Sequence, residues 1–278
     1  MIIEDKKQLI GERDLAMLLQ DMVEHYGYDF SDYSRASIKR RVSRLISTDH
    51  IPSFAELRFK LVEDEEFFNH FLEEVTVNVT EMFRDPLFFK ALRESILPKL
   101  STYPLIRIWH AGCSTGEEVY SMAILLQEEG LLERSLLYAT DINQQVLERA
   151  KSRQFPIDEM KLFTQNYIEA GGKNDFSSYY TASYEKALFK EELQSRMVFS
   201  THNLVVDQSF NEFNLIICRN VLIYFNRELQ NQVIGLFNES LPSLGYLALG
   251  NKETLGFTDY DHHFKTINQK QRIWQKIK

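Results

Sequence analysis

A chain of 278 residues, 44% of them hydrophobic, is long enough to bury a full core and to form two domains, or one domain with an appendage. With 32 Lys+Arg against 40 Asp+Glu the net charge is -8, which argues against nucleic acid or an anionic membrane as a default partner. Cys113 and Cys218 lie in apolar or small-residue runs, so neither a disulfide framework nor a metal site is expected; with no signal-peptide core and no run near the ~20 apolar residues that span a bilayer, the sequence reads as cytoplasmic.

Residues 13–25 place Leu15, Leu18, Leu19 and Met22 at helical spacing, and 34–47 repeat the pattern with Ile38, Val42, Leu45 and Ile46. Ser53, with Glu56 three residues on, has capping-box spacing ahead of FAELRFKLVE, and 65–75 continue as a further helix. From Pro104 the texture changes. Short apolar runs at 105–110, 135–140, 197–201, 213–218 and 245–250 alternate with helical patterns near 117–129, 143–151 and 227–240, which predicts an α/β fold with a parallel sheet. The closing stretch HHFKTINQKQRIWQKIK suits an antiparallel pair at the end of that sheet. Residues 163–193 break the alternation: Gly171-Gly172 followed by interleaved polar and aromatic residues predicts a small hairpin insertion.

In an open parallel sheet, ligands bind beyond the carboxyl ends of the strands. The strand ending near His110 runs into Ala111, Gly112, Cys113, Ser114, Thr115 and Gly116, where small side chains would let a ligand approach the backbone, and Glu117 and Glu118 then open a helix. A phosphate site would need bare amides there, whereas two carboxylates favour a ligand bearing a positive charge, hydroxyls or amines. Asp141 ends the next strand, 25 residues after Gly116, near the ~20-residue offset at which an acid binds ribose hydroxyls. A nucleoside without a pyrophosphate fits, and S-adenosyl-L-methionine meets that description: an adenosine diol, a sulfonium and an ammonium. The alternative is an ordinary turn whose acids only favour the helix dipole.

VTVNVTEMFRD (75–85), HAGCSTGEE, ATDIN, THNL (201–204) and FNLIICRNVLIYFN (213–226) together resemble the chemotaxis receptor methyltransferase family, CheR, over nearly the whole chain. The resemblance implies a Rossmann-like methyltransferase sheet in 86–278 with the small β insertion at 163–193, and an N-terminal helical domain and linker in 1–85. It implies methyl transfer from S-adenosyl-L-methionine, giving S-adenosyl-L-homocysteine, to glutamate side chains of a receptor's cytoplasmic domain, by a monomer that uses no metal. By matching motif, Asn78, Thr80, Arg84, Gly112, Glu118, Asp141, Asn203, Leu204, Arg219 and Asn220 become cofactor-site residues, with Glu117 less favoured than Glu118. Arg84 and Tyr224 would orient the incoming carboxylate, and the basic run with Arg40, Arg41 and Arg44 would dock the substrate. His110, often a small polar residue in the family, reads as a strand-end histidine ahead of a catalytic one. Met82 replaces a common aromatic and should pack equally well. The 163–193 segment does not by itself imply docking of a receptor peptide. A small-molecule or nucleic-acid methyltransferase is disfavoured by the charge and by the lack of an NPPY-like motif after Cys218. A methyltransferase for a non-receptor signalling protein, and a non-catalytic cofactor-binding regulator, stay open.

Overall fold

Helical spacing of apolar residues becomes a packed core in the first unit of the chain. The computed structural model describes residues 10–26, 28, 30, 31, 33–75 and 80–278. These fall into two units, Met1–Asn78 with Tyr224–Leu229, and Val79–Ile223 with Gln230–Lys278. In the first, α1 (Glu12–Tyr26), α2 (Arg35–Thr48), α3 (Phe54–Glu63) and α4 (Glu65–Val75) bury Leu15, Leu18, Val42, Leu45, Leu57 and Phe71 completely. Each such side chain taken from water contributes about 1.5–3 kcal/mol, which is what holds helices of this length together. Tyr26 stacks on Phe68 at 3.6 Å, and Arg58 grips Asp21 with two nitrogens at 2.5 and 2.6 Å. The segment Tyr224–Leu229 joins this unit through Ser34, whose amide donates to the Tyr224 carbonyl at 2.7 Å, and through a bridge between Tyr33 and Phe225.

The second unit opens with α5 (Pro86–Ala91), which continues through a π-helical turn at Leu92–Ile96 into α6 (Leu97–Leu100). There follow β1 (Ile106–Ala111), α7 (Glu117–Glu128), β2 (Ser135–Asp141), α8 (Gln144–Lys151), β3 (Gln154–Pro156), α9 (Met160–Glu169), β4 (Tyr180–Ser183), β5 (Lys186–Phe189) and α10 (Glu191–Gln194). The unit is completed by β6 (Met197–Thr201), β7 (Leu215–Cys218), α11 (Arg227–Glu239, from Gln230 onward), β8 (Tyr246–Leu249), β9 (Phe264–Asn268) and β10 (Ile273–Lys276). The main sheet has seven strands in the order β6-β2-β1-β7-β8-β10-β9. The first five run parallel, and β10 lies antiparallel to both β8 and β9, as the closing stretch of sequence predicts. Strands buried on both faces need apolar residues at every position, hence the unbroken runs LIIC of β7 and YLAL of β8, all buried.

β1 is the hinge of the topology: β2 and β6 lie to one side of it and β7 and β8 to the other. The chain therefore leaves β1 and β7 in diverging directions, and the crevice at their carboxyl ends is where this kind of sheet takes a ligand. Residues 163–169 complete α9 instead of entering a hairpin, because Met160, Phe163 and Tyr167 recur on one buried face. The small antiparallel sheet pairs β4 with β5 and draws in β3, so it extends back to residue 154, before the segment singled out from sequence.

The Ser53 hydroxyl accepts a 3.1 Å bond from the Glu56 amide, satisfying one otherwise open donor at the start of α3. Ser53→Ala should lower the stability of the helical unit by about 1 kcal/mol, and Ser53→Gly by only a few tenths, in urea unfolding followed by circular dichroism. Equal losses would mean that the hydroxyl is not acting as a cap.

Candidate cofactor site

The glycine loop after β1 is fixed by backbone geometry before any ligand is considered. Gly112 and Cys113 both donate to the Thr140 carbonyl, at 2.8 and 2.9 Å, which folds the loop against the end of β2. Gly112 and Gly116 hold φ of 77° and 95°, conformations that strain other residues. A Cβ on Gly112 would meet Val221 Cγ2 at 2.4 Å, and one on Gly116 would meet Ala150 Cβ at 2.8 Å. On the side where a Cβ would stand, the space freed by both glycines is filled by the protein's own neighbouring chain. Gly112 admits the turn after β7, and Gly116 lets α7 start against α8.

Asp141 locks the same loop from the β2 side. Its Oδ2 accepts from Ser114 N at 2.9 Å and its Oδ1 from Asn143 N at 3.0 Å, and only 8% of the residue is exposed. Burial pushes this carboxyl up, while the amides of Asn143, Ser114 and Ile142 pull it down. A carboxylate has about four acceptor sites, so beside these three amides the group can still accept from a hydroxyl while holding the loop. Beyond β6, the His202 amide donates to the Asp141 carbonyl at 3.1 Å, bringing Asn203 and the buried Leu204 to the same end of the sheet. Asn203 Oδ1 accepts from Val205 N at 2.9 Å and its own amide donates to Asp207 at 2.8 Å, a turn that shapes this loop.

The two adjacent acids at the start of α7 have opposite environments. Glu117 is 6% exposed and receives the Thr115 hydroxyl, 2.9 Å from one of its carboxyl oxygens and 2.7 Å from the other. Glu118 instead lies 2.9 Å from Nδ1 of the fully buried His110 and 3.3 Å from the Arg219 guanidinium. Burial pushes Glu118 up, but His110 and Arg219 outweigh it and hold the carboxyl below its ordinary value. Among the described residues, Nε2 of His110 and Nε of Arg219 are buried without a hydrogen-bond partner. His110 is thus a buried partner of Glu118 as well as a strand-end residue.

Arg219, at the end of β7, does not extend toward open space. Its guanidinium pairs with Asp85, approaches Glu118, donates to the Arg84 carbonyl at 3.2 Å and covers the Phe88 ring at 4.2 Å. The motif segment before α5 is anchored as well: the Phe83 amide donates to Ser121 Oγ at 2.8 Å, Asn166 donates to the Met82 carbonyl at 3.0 Å, and Met82 and Phe83 are fully buried. Arg84 and Thr80 lie half-buried on this segment, and Asn78 falls outside the described residues. Tyr224 groups with the helical unit, where Arg41 sits over its ring at 4.8 Å and donates to the Val75 carbonyl at 2.8 Å; Arg40 and Arg44 are exposed on α2.

Sequence reasoning missed three groups. Asp85 follows Arg84 directly in the sequence, yet its carboxylate serves Arg219, 134 residues away. His110 carries no local sign that it faces Glu118. Glu253, in the turn after β8, is 4% exposed and accepts the amides of Gly250 at 2.5 Å, Asn220 at 3.1 Å and Ile223 at 3.4 Å. The only signal for it is an acid just past a strand end.

Burial pushes Glu117 up to about 7 against the pull of the Thr115 hydroxyl. Because this stands above the ordinary value of 4.5, the folded chain keeps a proton that the unfolded chain has released. The associated stability is fully present below pH 4.5 and is lost as pH rises through about 7. Glu117→Gln, which stays neutral, should therefore gain on the wild type by up to ~3 kcal/mol between about pH 5 and about pH 8 in urea unfolding. A difference that does not change with pH would mean that Glu117 is ionised throughout.

Residues 78–273 match the CheR methyltransferase SAM-binding domain, and residues 13–76 match the CheR all-alpha domain. The protein Cher3 of Pseudomonas putida, named as a methyltransferase, is 45% identical over 95% of this chain and 96% of its own length. Chemotaxis protein methyltransferases of Borreliella burgdorferi (30% identical, 88% of this chain and 89% of theirs) and Listeria monocytogenes (28%, 92% and 95%) are similar over comparable spans. The chain, with its largely parallel sheet and its all-helical N-terminal unit, belongs to the CheR family of S-adenosylmethionine-dependent methyltransferases.

Proposed function

We propose that the protein methylates glutamate side chains in the cytoplasmic domain of a chemotaxis-type receptor, giving glutamate methyl esters. The observation that carries this reading is the pair of carboxylates beyond β1 and β2. Glu118 is held low by His110 and Arg219 with 18% of its side chain still exposed, and Asp141, bonded by three backbone amides, has acceptor capacity left at the next strand end. That donor set fits S-adenosylmethionine, with Glu118 for its ammonium and Asp141 for its ribose diol. Asn203 and Leu204 would flank the base, and Asn78, Thr80, Arg84 and Asn220 would close on the remainder. Gly112 and Arg219 would belong to the same cofactor site, Arg219 also holding Glu118 and Asp85 and Gly112 also admitting Val221.

The bound cofactor supplies a methyl group activated by its sulfonium. A glutamate carboxylate, with a reference pKa of about 4.3, is already ionised at neutral pH, so the protein need not remove a proton. Its contribution is alignment of nucleophile and methyl carbon at roughly 3–3.5 Å and exclusion of water. Arg84 would orient the carboxylate by charge and Tyr224 by its hydroxyl. Arg40, Arg41 and Arg44 would attract an acidic substrate helix, a local exception on a chain of net charge -8. Relatives named as chemotaxis protein methyltransferases support the substrate class.

Transfer of labelled methyl to a panel of receptor cytoplasmic domains tests this directly. The expected product is base-labile, and Arg84→Ala should slow its formation by roughly 10²-fold. Base-stable label would point to another acceptor, and cofactor binding with no label on any receptor would favour a regulator.

A further inference from the structure

Glu253 is a buried carboxylate whose partners are backbone amides from two different segments. Oε2 accepts Gly250 N at 2.5 Å and Asn220 N at 3.1 Å, while Oε1 accepts Ile223 N at 3.4 Å. Burial pushes the carboxyl up, and the amides of Gly250, Asn220, Ile223 and Leu222 pull it back. The group thus stitches the turn after β8 to the turn after β7, across the ends of two paired strands. A second observation points the same way. A Cβ on Gly250 would meet Glu253 Oε2 at 2.7 Å and Asn220 N at 2.9 Å, so only glycine lets the carboxylate and the β7 turn come this close. Asn220 meanwhile holds φ of 63°, a left-handed conformation that costs free energy and persists only where its surroundings impose it.

We propose that Glu253 is a positioning residue for methyl transfer, clamping the turn after β7 by its amides and so setting where Asn220 stands and how the chain leaves toward Tyr224. This rests on the proposed function, with Asn220 at the methyl-bearing end of the cofactor site and Tyr224 on the incoming carboxylate. The chemistry of the clamp is specific to a carboxylate. Its two oxygens offer acceptors to every amide that converges on it, whereas a glutamine of the same size replaces one oxygen with a donor that meets N–H groups head on. The turn would then relax without loss of side-chain volume.

The test compares wild type with Glu253→Gln in single-turnover methyl transfer at saturating cofactor, on whichever acceptor the wild type methylates. S-adenosylhomocysteine affinity, Tm and amide hydrogen exchange at residues 220–223 are measured beside it. The expected result is a rate lower by about 10- to 100-fold, with S-adenosylhomocysteine affinity changed by no more than about threefold, and faster exchange confined to the β7 turn. Should Glu253→Gln fail to fold, Gly250→Ala, which forces the carboxylate and the Asn220 amide apart, carries the same comparison. A rate within about twofold of wild type, or a loss no larger than the drop in folded fraction at the assay temperature, overturns the proposal. The base lability of the wild-type product reports separately on the acceptor, so a wrong substrate class and a wrong role for Glu253 give different results.

Discussion

The guanidinium of Arg219 is the interaction on which the candidate site most depends. It is almost fully buried, and its partners come from three places in the chain: Asp85 and the Arg84 carbonyl before α5, Glu118 on α7, and the Phe88 ring. An arginine taken out of water needs its charge and most of its donors matched, as here, where among the described residues Nε alone of the guanidinium nitrogens is left without a partner. Removing one partner of a buried pair typically costs about 3–5 kcal/mol because the other charge is stranded. The requirement runs both ways. Arg219 fixes the motif segment 80–85 against the end of β7, and the same charge helps keep Glu118 ionised at the mouth of the site.

Four carboxyl groups near the strand ends show how environment divides one functional group among several tasks. Glu117, with a hydroxyl as its near partner, is pushed up to about 7 and is a packing residue that happens to carry an acid. Glu118, one position later, turns to His110 and Arg219 and stays ionised. Asp141 and Glu253 are held by backbone amides; they organise loops, and Asp141 keeps the capacity to accept hydroxyls besides. Which acid can meet a cationic ligand is decided by the partners that surround it, and adjacent acids in a sequence give no hint of that division.

Much of the architecture could be read directly from the chain. Periodicity located α1 through α4, because a helix on a single core must repeat its apolar residues at that spacing. Runs such as LIIC and YLAL marked central strands, because a strand covered on both faces has no polar side to display. The helix α9 was harder to see, since its apolar face is short and is followed at once by Gly171-Gly172, a strong turn signal that drew the expected hairpin too far forward. The strand β3 was missed because three residues carry no period at all.

The sequence alone determined the α/β alternation, the all-helical first unit, the small-residue loop after β1 and the acids at the ends of β1 and β2, since each depends on residues close together in the chain. Tertiary structure decided the rest: that Gly112 makes room for Val221, that Asp85 answers Arg219, that His110 faces Glu118, and that Glu253 gathers amides from the turn after β7. These are pairings between segments that the strand order brings side by side. A local pattern carries no record of such an order, because the hydrophobic period that forms a strand is the same whichever neighbour it will have.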